Sequence, residues 1–268
     1  YFSSVEMREI IESLRRDLGE EISKIKIADV RIGVIYTGVL LSTGHGGVAY
    51  TPIYEFTSCP ISEMAGGISG ASASDAIRMV FSSNLIEVAV GVASVNALSQ
   101  VSFEKHPEKY VISNIDVLEL ISRGDKVSMV GYFGPLIPKV LERTNEVFIF
   151  EKRTVTDDRV RIVSPSNMPE ILQSSDVILI SGSTLVNKTL NRILRFTGKA
   201  REVVLLGPTA SMIPHPLFRK GITAVMGVKI RDPNIMLRIV SEAGGTQQML
   251  AKCAEKISLL KRDHEGLY

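Results

Sequence analysis

The residues best placed for chemistry are Gly131-Tyr132-Phe133-Gly134-Pro135, which follow an apolar run and precede a helix-forming stretch. Gly131 and Gly134 let the main chain approach a ligand closely, and Pro135 suits a first helical position, where its missing N–H costs nothing. The free N–H groups of such a helix start favour an anion. Glu151 ends the next apolar run, twenty positions after Gly131, the spacing at which a carboxylate bonds ribose hydroxyls in dinucleotide-binding sheets. The pattern departs from GxGxxG, because the second glycine is absent and Pro138 removes a further donor, and both changes weaken pyrophosphate binding. Three more polar turns follow apolar runs: Ser181-Gly182-Ser183-Thr184, leading to Asn187 and Thr189; Gly207-Pro208-Thr209-Ala210-Ser211; and the region of Gly227. Helix capping explains any one of them alone. Their coincidence at one edge of a sheet points to a ligand.

Side chains able to ligate a metal are His45, Cys59, Glu63, His106, His215 and Glu151, and none share a helix-face or knuckle spacing. His45, within Thr43-Gly44-His45-Gly46-Gly47, stands out because the glycines could carry it over a cleft. Direct metal ligation therefore rests on His45, Cys59 and Glu151, while a chelate already holding its metal could be bound through Asn96, Glu151 and the hydroxyl-bearing turns. No Ser-His-Asp or paired-carboxylate arrangement follows from spacing, and Glu151 is the single obvious acid. An enzyme built on these residues would borrow its reactivity from a nucleotide or S-adenosylmethionine, with Glu151 on the ribose. A binding protein needs only a shaped polar cleft.

The elements that must position these residues fall into two groups. Val5, Ile10, Ile11, Leu14 and Leu18 recur at helical spacing after Ser4, a suitable cap, and before Gly19. Short β-rich runs follow, at 29–36, 38–42 and 48–50, which predict an antiparallel meander. Residues 59–74, rich in Gly, Ser and Ala, predict a loop. Helices are expected over 74–83 and 85–101, the second apolar nearly all round and therefore buried, so that Asn96 within it needs a partner. Beyond residue 107 strands and helices alternate. Strands are expected at 126–130, 146–150, 160–163, 177–180, 203–206 and 224–228, and helices at 136–143, 168–173, 186–196, 216–219 and 233–243, which together describe a parallel sheet covered on both faces. The last segment, 246–261, places Met249, Cys253, Ile257 and Leu260 on one helical stripe.

At 268 residues the chain exceeds the usual single core, and the pattern divides it at 1–106 and 107–268. Hydrophobic content of 45% and charged content of 22% are those of a globular protein. Lys+Arg of 31 against Asp+Glu of 29, with no basic run, argues against nucleic acid as a partner. The most apolar window, 85–101, is interrupted by Glu87, Asn96 and Gln100, so no membrane span is expected. The first residues lack a basic start and an apolar signal core, and the two cysteines, Cys59 and Cys253, lie far apart, which together predict a cytoplasmic protein. A homodimer through the C-terminal segment or the meander is compatible with the pattern.

The runs Gly91-Val92-Ala93-Ser94-Val95-Asn96-Ala97, Val130 to Leu136 with Phe150-Glu151, Ser175 to Asn187, and Leu206-Gly207-Pro208 resemble the "putative heavy-metal chelation" family, common in anaerobic bacteria and archaea. The resemblance spans most of the chain. It implies an α/β architecture in which an α+β domain like the enolase N-terminus precedes a Rossmann-like domain, with the site in the cleft between them. Asn96 would then face that cleft beside Glu151, Phe133 and the Ser183-Thr184 turn, and the ligand would be a heavy-metal ion or a metal chelate.

Overall fold

The computed structural model describes residues 5–261. Helix α1 (Val5–Leu18) buries Ile10, Ile11, Leu14 and Leu18, the stripe set by its period; Ser4, expected as its cap, lies outside the described residues. Strands β1 (Ile27–Ile32), β2 (Tyr36–Leu41) and β3 (Gly46–Tyr50) pair antiparallel into the expected meander. A long loop leads to the short helix α2 (Ala73–Ala76), a 3-10 turn to Phe81, and the long helix α3 (Leu85–Lys105), capped by the Asn84 side chain, which accepts from the Ile86 N–H.

Residues 88–100 of α3 are all buried. By length and composition α3 could cross a membrane, but 83% of its apolar window is buried inside the protein. β2 and β3 pack on one side, and the segment after Gly207 packs on the other. Gly47 sits so close to α3 that a Cβ there would lie 2.2 Å from the Ala93 carbonyl oxygen and 2.4 Å from the Ala97 nitrogen. Of the glycines around His45, Gly46 and Gly47 thus serve close packing, and Gly44, at φ 82°, makes the turn.

The second sheet contains β4 (Ile112–Ser113), β5 (Val127–Val130), β6 (Val147–Phe150), β7 (Arg161–Ile162), β8 (Val177–Ser181), β9 (Glu202–Leu206), β10 (Ala224–Ile230) and β11 (Ala254–Leu260), in the order β4-β11-β10-β9-β8-β5-β6-β7. β5 through β10 are parallel, and β11 and β4 add an antiparallel edge. Counted from β5, the parallel strands run 3-2-1-4-5-6, the order of a doubly wound dinucleotide-binding sheet. Short helices cover it: α4 (Ile137–Leu141), α5 (Met168–Gln173), α6 (Ser183–Val186), α7 (Leu190–Leu194), α8 (His215–Arg219), α9 (Pro233–Ser241) and α10 (Thr246–Lys252).

Side chains alternate between the two faces with the period of a strand. Ile178, Ile180, Val203, Leu205 and Val225 join one hydrophobic cluster with α1 and α3, while Val177, Leu179, Val204, Ala224 and Met226 join another with Ile137 and Val140 of α4. The meander is held from its other side by α9, where a Cβ on Gly38 would meet the Met236 sulfur at 2.8 Å.

Two expectations are corrected. The segment 246–261 is a helix only to Lys252; from Ala254 it is a strand that pairs with β10 along all seven residues. The edge of β10 overrides the helical stripe, since an unpaired edge leaves a row of unsatisfied backbone groups. The expected helix over 186–196 is broken into α6 and α7 at Lys188, which adopts φ 60°. The Asn187 side chain accepts from both the Thr189 N–H (3.3 Å) and the Thr189 hydroxyl (2.6 Å), which stabilises the turn.

Gly47→Ala is expected to lower unfolding free energy by about 3 kcal/mol, because neither α3 nor β3 can yield. Gly66→Asn, at a left-handed position (φ 85°) facing open space, should cost less than about 1 kcal/mol. Urea denaturation of the two variants measures the contrast.

Candidate functional site

Strand order reverses between β5 and β8, and the turns that leave these strands meet there. Gly131 has φ 109°, and a Cβ on it would lie 2.8 Å from the Ser181 Cβ, so conformation and space both require glycine. In front of these turns opens a cleft of about 500 Å³. Tyr132, Phe133, Pro135 and Leu136 form one wall, Ser181, Gly182 and Ser183 the floor, and Leu206, Gly207, Pro208 and Thr209 the continuation of that floor. Tyr36 and Tyr50 of the meander and Thr246, Gln247 and Leu250 of α10 close it from the other side, and Asp116, Val117, Lys139 and Lys256 complete its lining. A second hollow of about 520 Å³, between Tyr110, His215, Phe218 and Leu259, lies where β11 ends, at the opposite edge of the sheet. Ligands of open parallel sheets bind at the carboxyl ends of the strands, so the first cleft is the candidate.

The meander is tied over this edge by polar contacts. The Asn96 side chain donates through Nδ2 to the Val48 carbonyl (2.8 Å) and to the Thr209 carbonyl (2.9 Å). The Tyr50 N–H donates to the Thr209 hydroxyl at 2.9 Å. The Tyr36 and Thr246 hydroxyls are 2.8 Å apart, and burial pushes the Tyr36 phenol above its ordinary range. Asn187 Nδ2 reaches Glu55 Oε1 at 3.4 Å, and the Tyr50 hydroxyl reaches the other oxygen of the same carboxylate.

Of the residues singled out in the sequence, Phe133, Pro135, Ser183, Gly207, Pro208 and Thr209 line the cleft. Gly131 shapes the turn beneath them, and Gly134 lies against the Tyr132 ring. Thr184 is buried and its hydroxyl donates to the Ser181 carbonyl at 2.7 Å, a local cap. Asn96 does not face the cleft: its side chain is enclosed in the core, where it joins β3 to the Thr209 turn.

Glu151 is not available to a ligand either. Its carboxylate accepts from the Tyr132, Lys152 and Arg153 N–H groups at 3.1, 2.8 and 3.0 Å and pairs with the Arg153 guanidinium at 3.1 Å. Burial alone would raise its pKa, but the Arg153 side chain and these N–H groups outweigh burial and hold the group below its ordinary value. Arg153 in turn lies over the Tyr54 ring, 5.3 Å from its centroid.

The proposed metal ligands do not converge. His45 bonds Thr43 and Glu104, each at 2.9 Å, at the far end of α3; Cys59 is exposed in the glycine-rich loop; and Glu151 is occupied as described. His106 bonds the Asp17 carbonyl at 2.9 Å, and His215 lies tilted against the Tyr110 ring and edge-on to the Phe218 ring. Among the described residues no three His, Cys, Asp or Glu side chains gather as a metal site.

The sequence did not single out Tyr36, Tyr50, Lys139, Lys256 or the Thr246–Leu250 part of α10 as lining of a cleft. A signal for the tyrosines existed: the hairpin turn centred on residue 43 puts Tyr36 directly opposite Tyr50.

The depressed pKa of Glu151 makes its contribution to stability complete above its ordinary value of 4.5 and lost as pH falls through the folded-state value. Glu151→Gln is expected to cost about 2 kcal/mol at pH 7, through weakened bonds to the turn. The same variant should show a shallower loss of stability than the parent below about pH 4.5. Denaturant midpoints measured across pH 3 to pH 7 (roughly the carboxylate range and above) check both.

Residues 113–259 match the DUF364 family, described as "Putative heavy-metal chelation", and residues 15–99 match DUF4213, which carries the same description. An uncharacterised protein of Methanocaldococcus jannaschii is 28% identical over 258 residues, covering 93% of this chain and 95% of that one. A crystal structure of a DUF364 protein of unknown function from Pyrococcus horikoshii superposes with a TM-score of 0.79 at 26% identity, covering 96% of this chain and all of that one. One from Desulfitobacterium hafniense gives 0.76 at 20% identity, covering 95% of this chain and all of that one, which speaks for the fold alone. With more than half of its length matched and the same two-part α/β architecture, the chain belongs to the DUF364 family.

Proposed function

We propose that the protein binds metal as a preformed organic chelate, seated in the cleft between the meander and the carboxyl edge of the parallel sheet. The observation that carries this reading is the makeup of the cleft wall. Tyr36, Tyr50, Tyr132 and Phe133 supply rings, Ser183 and Thr246 supply hydroxyls, and among the described residues no histidine, cysteine or glutamate lines it, Asp116 being the one carboxylate. Aromatic faces and a few hydroxyls suit a flat organic ligand. A bare heavy-metal ion requires several thiolate, imidazole or carboxylate donors. The family's chelation role and the wall are reconciled if the donors belong to the ligand.

The strand order favours a second reading, a nucleotide or S-adenosylmethionine cofactor. The first turn argues against it. Glu151 already accepts from the Tyr132 N–H, in the position where a phosphate would seek donors. The same bonds leave it unable to hold a ribose.

Thermal stability in the presence of nickel(II) salts and of a nickel(II)–phenanthroline complex tests the proposal. The complex is expected to raise Tm, by an amount corresponding to about 2.7 kcal/mol at a hundredfold excess over Kd, and Phe133→Ala should reduce that shift. An equal shift with the nickel salt alone would show that side chains of the protein hold the metal.

A further inference from the structure

Charge in the lining of the cleft says more about the ligand, given that the cleft is the binding site. Two lysines, Lys139 and Lys256, and one acid, Asp116, line it, so two positive charges face one negative. Asp116 is partly committed elsewhere: its Oδ1 accepts from the Leu118 N–H at 3.0 Å, and Lys256 stands 3.5 Å from Oδ2 in an exposed, loose pair. Lys139, on the first helix after the Gly131 turn, is paired with no carboxylate among the described residues. The other acids near the turn are neutralised, Glu151 by Arg153 and Asp157 by Arg159. The same lining includes the apolar side chains of Val117, Leu136, Leu206 and Leu250. Low-dielectric walls strengthen the field of an unpaired ammonium on anything that enters.

We propose that the ligand is an anion, a flat chelator bearing a carboxylate that meets Lys139, with Lys256 as the second cation beside it. The Tyr132 and Phe133 rings hold the planar body, and Lys139 fixes its orientation by placing the acid group beside the ammonium. An uncomplexed divalent cation meets repulsion in the same place. The selectivity is thus for the complexed or acid form of a metal-binding molecule over the free ion.

Isothermal titration of the whole chain with two planar chelators of one shape, bipyridine and bipyridine dicarboxylate, each free and as its nickel(II) complex, tests this. The dicarboxylate is expected to bind up to about fivefold more tightly than bipyridine at low ionic strength, the worth of one exposed ion pair. Lys139→Gln should cut that ratio to below about threefold, and Lys139→Arg should preserve most of it, since a guanidinium keeps the charge. Salt at about 0.5 M should narrow the ratio in the parent protein, by screening. Equal binding of the two chelators, or a ratio that survives Lys139→Gln, overturns the anionic ligand while leaving the cleft as a site for chelates. Absence of binding by both chelators in all forms overturns the site and its charge selectivity together.

Discussion

Helix α3 has no solvent-facing stripe over its middle turns, and a helix of that kind has to be enclosed on every side. The meander, which approaches closely because Gly47 has no side chain, the turn at 77–81 with α1, and the sheet with the turn after β9 enclose it. Asn96, at its centre, satisfies a carbonyl of the meander and one of the turn after β9 with a single amide group. That arrangement sets where Tyr36 and Tyr50 stand relative to the carboxyl ends of β5, β8 and β9, and so determines the width of the cleft. The site is a consequence of how the helix is buried.

A second constraint acts on the opposite wall. The turn after β5 has the position of a phosphate-binding turn, yet a carboxylate from the end of β6 is already bonded to its backbone. An acid in that place satisfies the turn internally and frees the structure from needing a ligand there. What is left for a ligand is the aromatic surface of Tyr132 and Phe133 and the hydroxyls of the second and third turns. A fold suited to nucleotides can in this way present a cleft with different chemistry, consistent with function residing in the site and not in the strand order.

Much of this was legible in the sequence. The parallel strands were, because strands buried on both faces read as uninterrupted apolar runs, as in Val177 to Ile180, and the polar turns that follow them lie at the edge where the cleft opens. Asn96 was legible as a residue in need of a partner, but periodicity cannot say whether that partner is a ligand or two backbone carbonyls. Glu151 stood at the spacing of a ribose-binding acid; its partners are the Arg153 guanidinium and three backbone N–H groups, the latter invisible to any side-chain pattern. His45 looked mobile among its glycines because a glycine required for packing and one required for a turn are the same letter, and Gly47 is the former while Gly44, at φ 82°, is the latter. The strand at 254–260 was hidden because its apolar residues fit a helical stripe as well as an alternating one, and only the open edge of β10 decides between them.

Hydrogen exchange read by mass spectrometry, with and without a nickel(II) chelate, tests the central claim most directly. The account predicts added protection in peptides covering 131–136, 181–184 and 206–210 together with those covering 36–50 and 246–250, since these segments form the two sides of one cleft. Protection confined to the His45 turn and the end of α3, or to the loop bearing Cys59, would contradict it.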